Sequence, residues 1–272
     1  MDVIRSVTSR ATWTRGPARI KGNKIILNAK SAHPYALFKE PEQHERLLMD
    51  LAELRLLGSI VNQRIVNKQV RKPSLVKAFA QRHGLIWHQP RQDGDECQET
   101  WQSWLVAGYK LSLTIALYGR LREAILTGRT EKLKAFLQHT RDVGNAYGSI
   151  PADHETLLEH VSILLAARIT KGLEGCSPTL LAACSLERAP GEKEGPPGDF
   201  RASINPSNLL AVAYNELVTL IEMKAEFREC IGCRKFYRFD PDVHHRDRRY
   251  CEEACYERTR KANERAKKHS SL

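Results

Sequence analysis

Residues 229–239 read ECIGCRKFYRF, residues 240–247 read DPDVHHRD and residues 248–269 read RRYCEEACYERTRKANERAKKH. Cys230 and Cys233 form a C-x2-C pair, and Cys251 and Cys255 a C-x3-C pair. Thiolates are soft ligands that satisfy a tetrahedral Zn2+ at about 2.3 Å each, and two close pairs can converge on one ion. Gly232, between the first two cysteines, suits a tight knuckle. Phe236, Tyr237 and Phe239 suit a short hairpin arm, with a polar turn over residues 240–247. Cys251 and Cys255, four residues apart, can project from one face of a helix's first turn. Knuckle, hairpin arm and helix together predict a treble-clef-like module in which Cys230, Cys233, Cys251 and Cys255 hold one structural Zn2+.

Other uses of these thiols stay open. An iron–sulfur cluster also accepts four cysteines, and buried structural thiols can cluster without any metal. Disulfides fit less well. The chain has seven cysteines, an odd number, and its start, MDVIRSVTSRATW, lacks the apolar core of an export signal, so a reducing, cytoplasmic setting is expected. His244 and His245 fall in the polar turn and are expected in solvent, because four thiolates already close a shell. A closed shell leaves no position for water, so the metal is expected to organise the fold and not to catalyse.

What it organises is the segment after Cys251. Arg258, Lys261, Arg265 and Lys268 recur at spacings of three, four and three, one stripe of a helix, with Arg260 and Lys267 on a neighbouring face. Glu252, Glu253 and Glu257 stand toward the helix N-terminus, where they suit the macrodipole. A solvated helix end satisfies this pattern. Contact with nucleic-acid phosphates is the sharper expectation, because clustered Lys and Arg release counterions from the backbone.

Composition points the same way. The formal net charge is +11 and the pI about 9.4, and residues 228–269 hold 13 Lys or Arg against 8 Asp or Glu. No apolar run approaches the roughly 20 residues needed to cross a bilayer, so no membrane partner is expected.

Upstream, the chain reads as mainly α. Residues 19–29 suggest a hairpin turning at Gly22-Asn23. Helical spacing of Leu47, Leu48, Leu51 and Leu54 predicts a helix over 41–57, and Pro73 and Gly84 bracket another over 73–82. A long helix is expected over 100–126, with Trp101, Trp104, Leu105, Leu111, Ile115, Leu117 and Leu121 as core and Gly128 as its stop. Further helices are expected from 131, over 153–170 and over 206–225. Residues 179–185 fit a strand or a buried helix fragment, and 189–199 a Pro/Gly/charge-rich loop. The expected organisation is a mostly helical domain over 1–225, sensing or partner-binding, and a zinc module over 226–272.

No Gly-rich phosphate loop, H-E-x-x-H or nucleophile elbow occurs, so an enzyme is not expected. His83, His88, His154 and His160 are scattered, and Cys97, Cys176 and Cys184 lack paired spacing.

A helical region ending in NPSNLLAVAYNELVTLIE, followed by the paired cysteines and an Arg-rich helix, resembles the bacterial CGNR-type zinc-finger proteins. The matching stretch is 228–268. After Cys255 the chain reads Tyr256-Glu257-Arg258 where the family signature has Gly-Asn-Arg, so Arg258 alone carries over. The resemblance implies a DNA-binding transcription regulator with a sensing helical region. Duplex DNA is then the favoured partner, with RNA as the other nucleic acid. Two further roles remain: a subunit of a larger nucleoprotein assembly (mobile-element or CRISPR-type), and a protein–protein adaptor.

Overall fold

The computed structural model describes residues 12–27, 33–36, 41–61, 64–66, 69–87, 98–142, 150–182, 200–206, 208–245 and 247–270. Over these residues the chain is mainly helical, with short strands at the N-terminal side and a four-cysteine cluster at the C-terminal side. The expected loop at 189–199, and Cys97, Cys184 and His88, lie outside the described residues.

Strand β1 (Thr12–Arg15) pairs with β4 (His33–Ala36), and between them β2 (Ala18–Lys21) and β3 (Lys24–Leu27) form the hairpin expected at Gly22-Asn23. Gly22 supplies the positive φ that the turn requires. A third strand, β7 (Gln98–Thr100), joins β3, so the hairpin belongs to a three-stranded antiparallel sheet. Helix α1 (Pro41–Glu53) tightens into a 3-10 turn (Leu54–Leu57) and leads to the two-residue strands β5 (Ile60–Val61) and β6 (Arg64–Ile65). Helix α2 (Pro73–His83) has proline in its first turn and Gly84 at its end, as the sequence predicts.

The centre of the fold is α3 (Trp101–Thr127), capped by the Thr100 hydroxyl on the Ser103 N–H and stopped by Gly128 in the left-handed region. All seven expected core positions of α3 are buried. Against it pack α1, the 3-10 turn, α4 (Glu131–Asp142) and α5 (His154–Gly172). The α3 backbone passes so close to the 3-10 turn that a Cβ on Gly108 would lie 2.7 Å from Arg55 N and 2.7 Å from Leu51 O. Asp153 caps α5 through Thr156 N–H, which accounts for the acidic residues around His154 as a helix start.

The ambiguous run near 179 is a strand: β8 (Cys176–Ala182) pairs along its length with β9 (Phe200–Pro206). Pro206 therefore closes a strand, and the following helix, α6 (Leu209–Glu222), begins after Asn208, whose side chain caps Ala211 N–H. At its other end Lys224 adopts φ 55, and Lys224 N–H and Ala225 N–H bond to Ile221 O and Leu220 O, a Schellman closure without glycine. That tight exit turns the chain directly into the cysteine module.

Candidate metal centre and its basic helix

Strand β10 (Glu226–Glu229) pairs antiparallel with β11 (Phe236–Phe239), and the first cysteine pair lies in the turn between them. The aromatic arm thus exists, but its partner is the segment before the knuckle and not the chain beyond residue 247. The reason is local: Cys230 N–H donates to Lys235 O at 2.8 Å and Arg234 N–H to Cys230 O at 2.9 Å, which closes the knuckle as a hairpin turn. Arg234 takes φ 65 there. Gly232 lies against the next helix, since a Cβ on it would sit 2.5 Å from Thr259 Oγ1 and 3.4 Å from Cys255 Sγ.

Residues 240–252 bring the chain back. His244 accepts from Asp240 N–H through Nδ1 at 3.1 Å and leans on the Phe239 ring, while His245 is exposed. The expectation that both lie in solvent thus holds for His245 and not for His244, which the Asp240 turn folds onto Phe239. Arg248 then fixes the entry to the second pair. Its guanidinium donates to Tyr250 O and Cys251 O, and its own carbonyl accepts from Tyr237 Oη at 2.9 Å and from Arg228 at 3.2 Å. Helix α7 (Glu253–Ser270) follows, so Cys251 precedes the helix and Cys255 stands in its first turn.

The four Sγ atoms of Cys230, Cys233, Cys251 and Cys255 lie within 4.8 Å of one another. Cys230 and Cys255 are 3.7 Å apart, and Cys233 and Cys251 3.6 Å. Those separations far exceed a disulfide bond of about 2.05 Å. They match the edge of about 3.8 Å that a tetrahedron with metal–sulfur bonds near 2.3 Å would have. The donor set therefore fits a metal ion.

Electrostatics leads to the same place. Burial pushes the Cys230 thiol up, yet the backbone N–H groups of Cys233 and Cys251 outweigh it and hold it down to about 6. Burial pushes Cys251 and Cys255 up, and the neighbouring Cys233 and Cys230 sulfurs push them further. Four thiolates this close repel one another, so full ionisation requires a cation among them.

The expected nucleic-acid residues divide into distinct groups. Arg258 turns back to the cluster: its guanidinium donates to Cys255 Sγ at 3.7 Å and to Ala254 O at 3.1 Å, and pairs with Glu252. Arg260 lies between Glu257 at 2.9 Å and Glu264 at 2.6 Å, so its charge is balanced on the helix itself. Lys261 and Arg265 are exposed and close no ion pair among the described residues. The side chains of Lys267 and Lys268 lie outside the described residues.

Contacts that no spacing rule reveals hold the module to the helices. Phe227 enters the main core and meets Tyr118 edge-on, Arg55 binds Glu229 at 3.0 Å and stacks on Phe236, and Lys235 binds the buried Glu53 at 2.8 Å. Arg122 reaches Glu226 at 3.4 Å. Charges so distant in sequence carry no local signal of pairing. Beside α7, an open cleft of about 600 Å³ is lined in part by Val243, Arg249, Tyr250 and Tyr256.

Among the described residues no helix is long and apolar enough to cross a membrane. Comparison of the chain with protein-family models, with curated proteins and with solved structures finds no match.

Proposed function

We propose that this chain is a zinc-dependent nucleic-acid-binding protein and, following its resemblance to the CGNR-type proteins, a bacterial DNA-binding regulator. The observation that carries the reading is the convergence of four thiols between a knuckle and the first turn of α7, which leaves Lys261 and Arg265 exposed on the helix so anchored. One ion fits sulfurs at this separation, whereas an iron–sulfur cluster interposes several atoms between its thiolates. Zinc is the natural occupant of a closed four-thiolate shell, and its role is structural. Phosphate contacts from α7 would supply affinity; any sequence preference requires a side chain on base edges.

The test is metal content together with affinity for random duplex DNA across a salt series. One zinc per chain and a steep fall of log affinity with log salt support the proposal. No binding at low salt removes it.

A second reading rests on Arg260 with Glu257 and Glu264, which give α7 a mixed-charge face suited to a protein partner. It covers both an adaptor and a subunit of a nucleoprotein assembly. Binding that appears only with partner proteins, with a weak salt dependence, would favour it.

A further inference from the structure

The surplus positive charge of this chain is not centred on the cysteine module. Residues 3–39 contain eight Lys or Arg and no Asp or Glu, and residues 54–92 again contain eight and none. These sixteen bases exceed the formal net charge of +11, so the remainder of the chain is net acidic.

The fold brings the two acid-free stretches together. Helix α2, from the second, packs across β1 and β2, from the first. Gly16 N–H donates to Ala80 O at 3.3 Å, and the Arg15 guanidinium reaches Arg82 O at 3.4 Å. Gly84 passes so close to β1 that a Cβ would lie 2.1 Å from Thr14 O. Among the described residues, three carboxylates from outside the two stretches, Asp50, Glu53 and Glu99, have partners of their own. Asp50 binds Arg82 and His83, and Glu53 binds Lys235. Glu99 points inward and accepts from the Ile86, Trp87 and Trp104 N–H groups.

The exposed bases collect on identifiable faces. Lys21 and Lys24 are cross-strand partners, so they share one face of the β2–β3–β7 sheet, and period two adds Arg19 to it. On that face β7 contributes exposed Gln98 and Thr100, with Thr100 directly opposite Lys24. Helix α2 adds exposed Lys77, and Lys72 precedes it.

We infer that this region, through Lys21 and Lys24 on the sheet face and Lys77 on the helix packed beside it, is a second nucleic-acid contact that takes the phosphate backbone. The inference rests on the nucleic-acid reading above and assigns a contact away from α7. Nucleic acid fits better than a bilayer, because the described exposed side chains of the sheet face are all polar and offer nothing apolar to insert. Gln98 and Thr100 are the kinds of side chain that hydrogen-bond phosphate and sugar beside Lys and Arg.

The test uses the full-length, zinc-loaded protein and random duplex DNA across a salt series. The variants are Lys21→Ala/Lys24→Ala/Lys77→Ala, Lys261→Ala/Arg265→Ala, and a control, Lys132→Ala/Lys171→Ala. The first triple should lower the slope of log affinity against log salt by roughly 2–3, close to one unit per lost phosphate contact. Its thermal melting and zinc content should not change, and the control should match the wild type. A triple variant that keeps the wild-type slope, while the Lys261/Arg265 variant loses affinity, overturns this inference and leaves the α7 reading standing. An equal loss in the control means diffuse attraction and overturns it too. Wild-type protein that binds no DNA overturns both, as does binding to vesicles of anionic lipid in place of DNA.

Discussion

The guanidinium of Arg258 donates to the Sγ of Cys255 across 3.7 Å, and the same side chain pairs with Glu252 just ahead of the helix. A residue expected from sequence to touch nucleic acid is therefore also a partner of a candidate metal ligand. A cation beside a four-thiolate shell offsets its net negative charge and orients the sulfur.

Arg258→Ala is expected to weaken zinc retention as well as any nucleic-acid binding. Outer-shell partners of metal ligands typically contribute about 10–100-fold in affinity. Competition with a chromogenic chelator reads this directly. Arg258→Lys should recover part of the loss, because it restores charge without the planar fork. Zinc release at the wild-type rate from Arg258→Ala would show that the contact contributes nothing.

Removing a ligand should unfold the module and spare the helices. The small cluster of Cys230, Tyr237, Phe239 and Cys255 is too few residues to hold α7 without a metal, while the main core is built from α1, α3, α5 and α6. Cys255→Ser, or stripping the wild type with a strong chelator, should abolish stoichiometric zinc. Amide exchange should then rise over 229–266 and stay unchanged in α3. Equal loss of protection in α3 would mean that the core depends on the metal.

Gly108 tests the crossing of α3 and the 3-10 turn. In an isolated helix, Gly→Ala gains about 1 kcal/mol. Here the new Cβ would meet backbone at 2.7 Å on two sides, so Gly108→Ala should instead destabilise by about 1–3 kcal/mol. Denaturant unfolding with an unchanged m-value would read the difference.

Acid should weaken the core through His83. Burial pushes its pKa below the ordinary 6.5, against the opposing pull of Asp50 at 2.8 Å. The unfolded chain then binds the proton more readily than the folded one. Stability is complete above about pH 6.5 and declines as pH falls below that value. Asp50, held low by His83 and Arg82 despite its burial, adds a loss of the same sign at pH values below its ordinary 3.8. His83→Gln should flatten the melting-temperature profile between pH 5 and 7, to be followed by thermal melts; an unaltered profile would place the titration elsewhere.

Much of the fold was legible because its signals are local. The hairpin at Gly22-Asn23, the helix opened by Pro73, the helix opening at residue 153 and the stop at Gly128 each depend on residues within one turn of the chain. The burial of Trp101 and Trp104 followed from periodicity alone. Where 179–185 was ambiguous, the deciding partner was a strand some twenty residues distant, and Pro206 ended that strand rather than opening a helix.

The cysteine spacing by itself determined that four thiols could meet, because knuckle and helix turn are short-range geometries. Charge counts and helical periodicity likewise named the basic candidates on α7, of which Lys261 and Arg265 are exposed. Only the tertiary structure decided which charges remain available. Arg258 is drawn to Cys255, Arg260 is balanced by Glu257 and Glu264, and Arg55 is spent on Glu229, across 174 residues. Only tertiary packing set α2 on β1 and β2, so that elements from two acid-free stretches came to lie side by side. Coulomb interactions act through space, and a linear sequence shows which charges exist but not which ones come to lie within a few ångströms of each other.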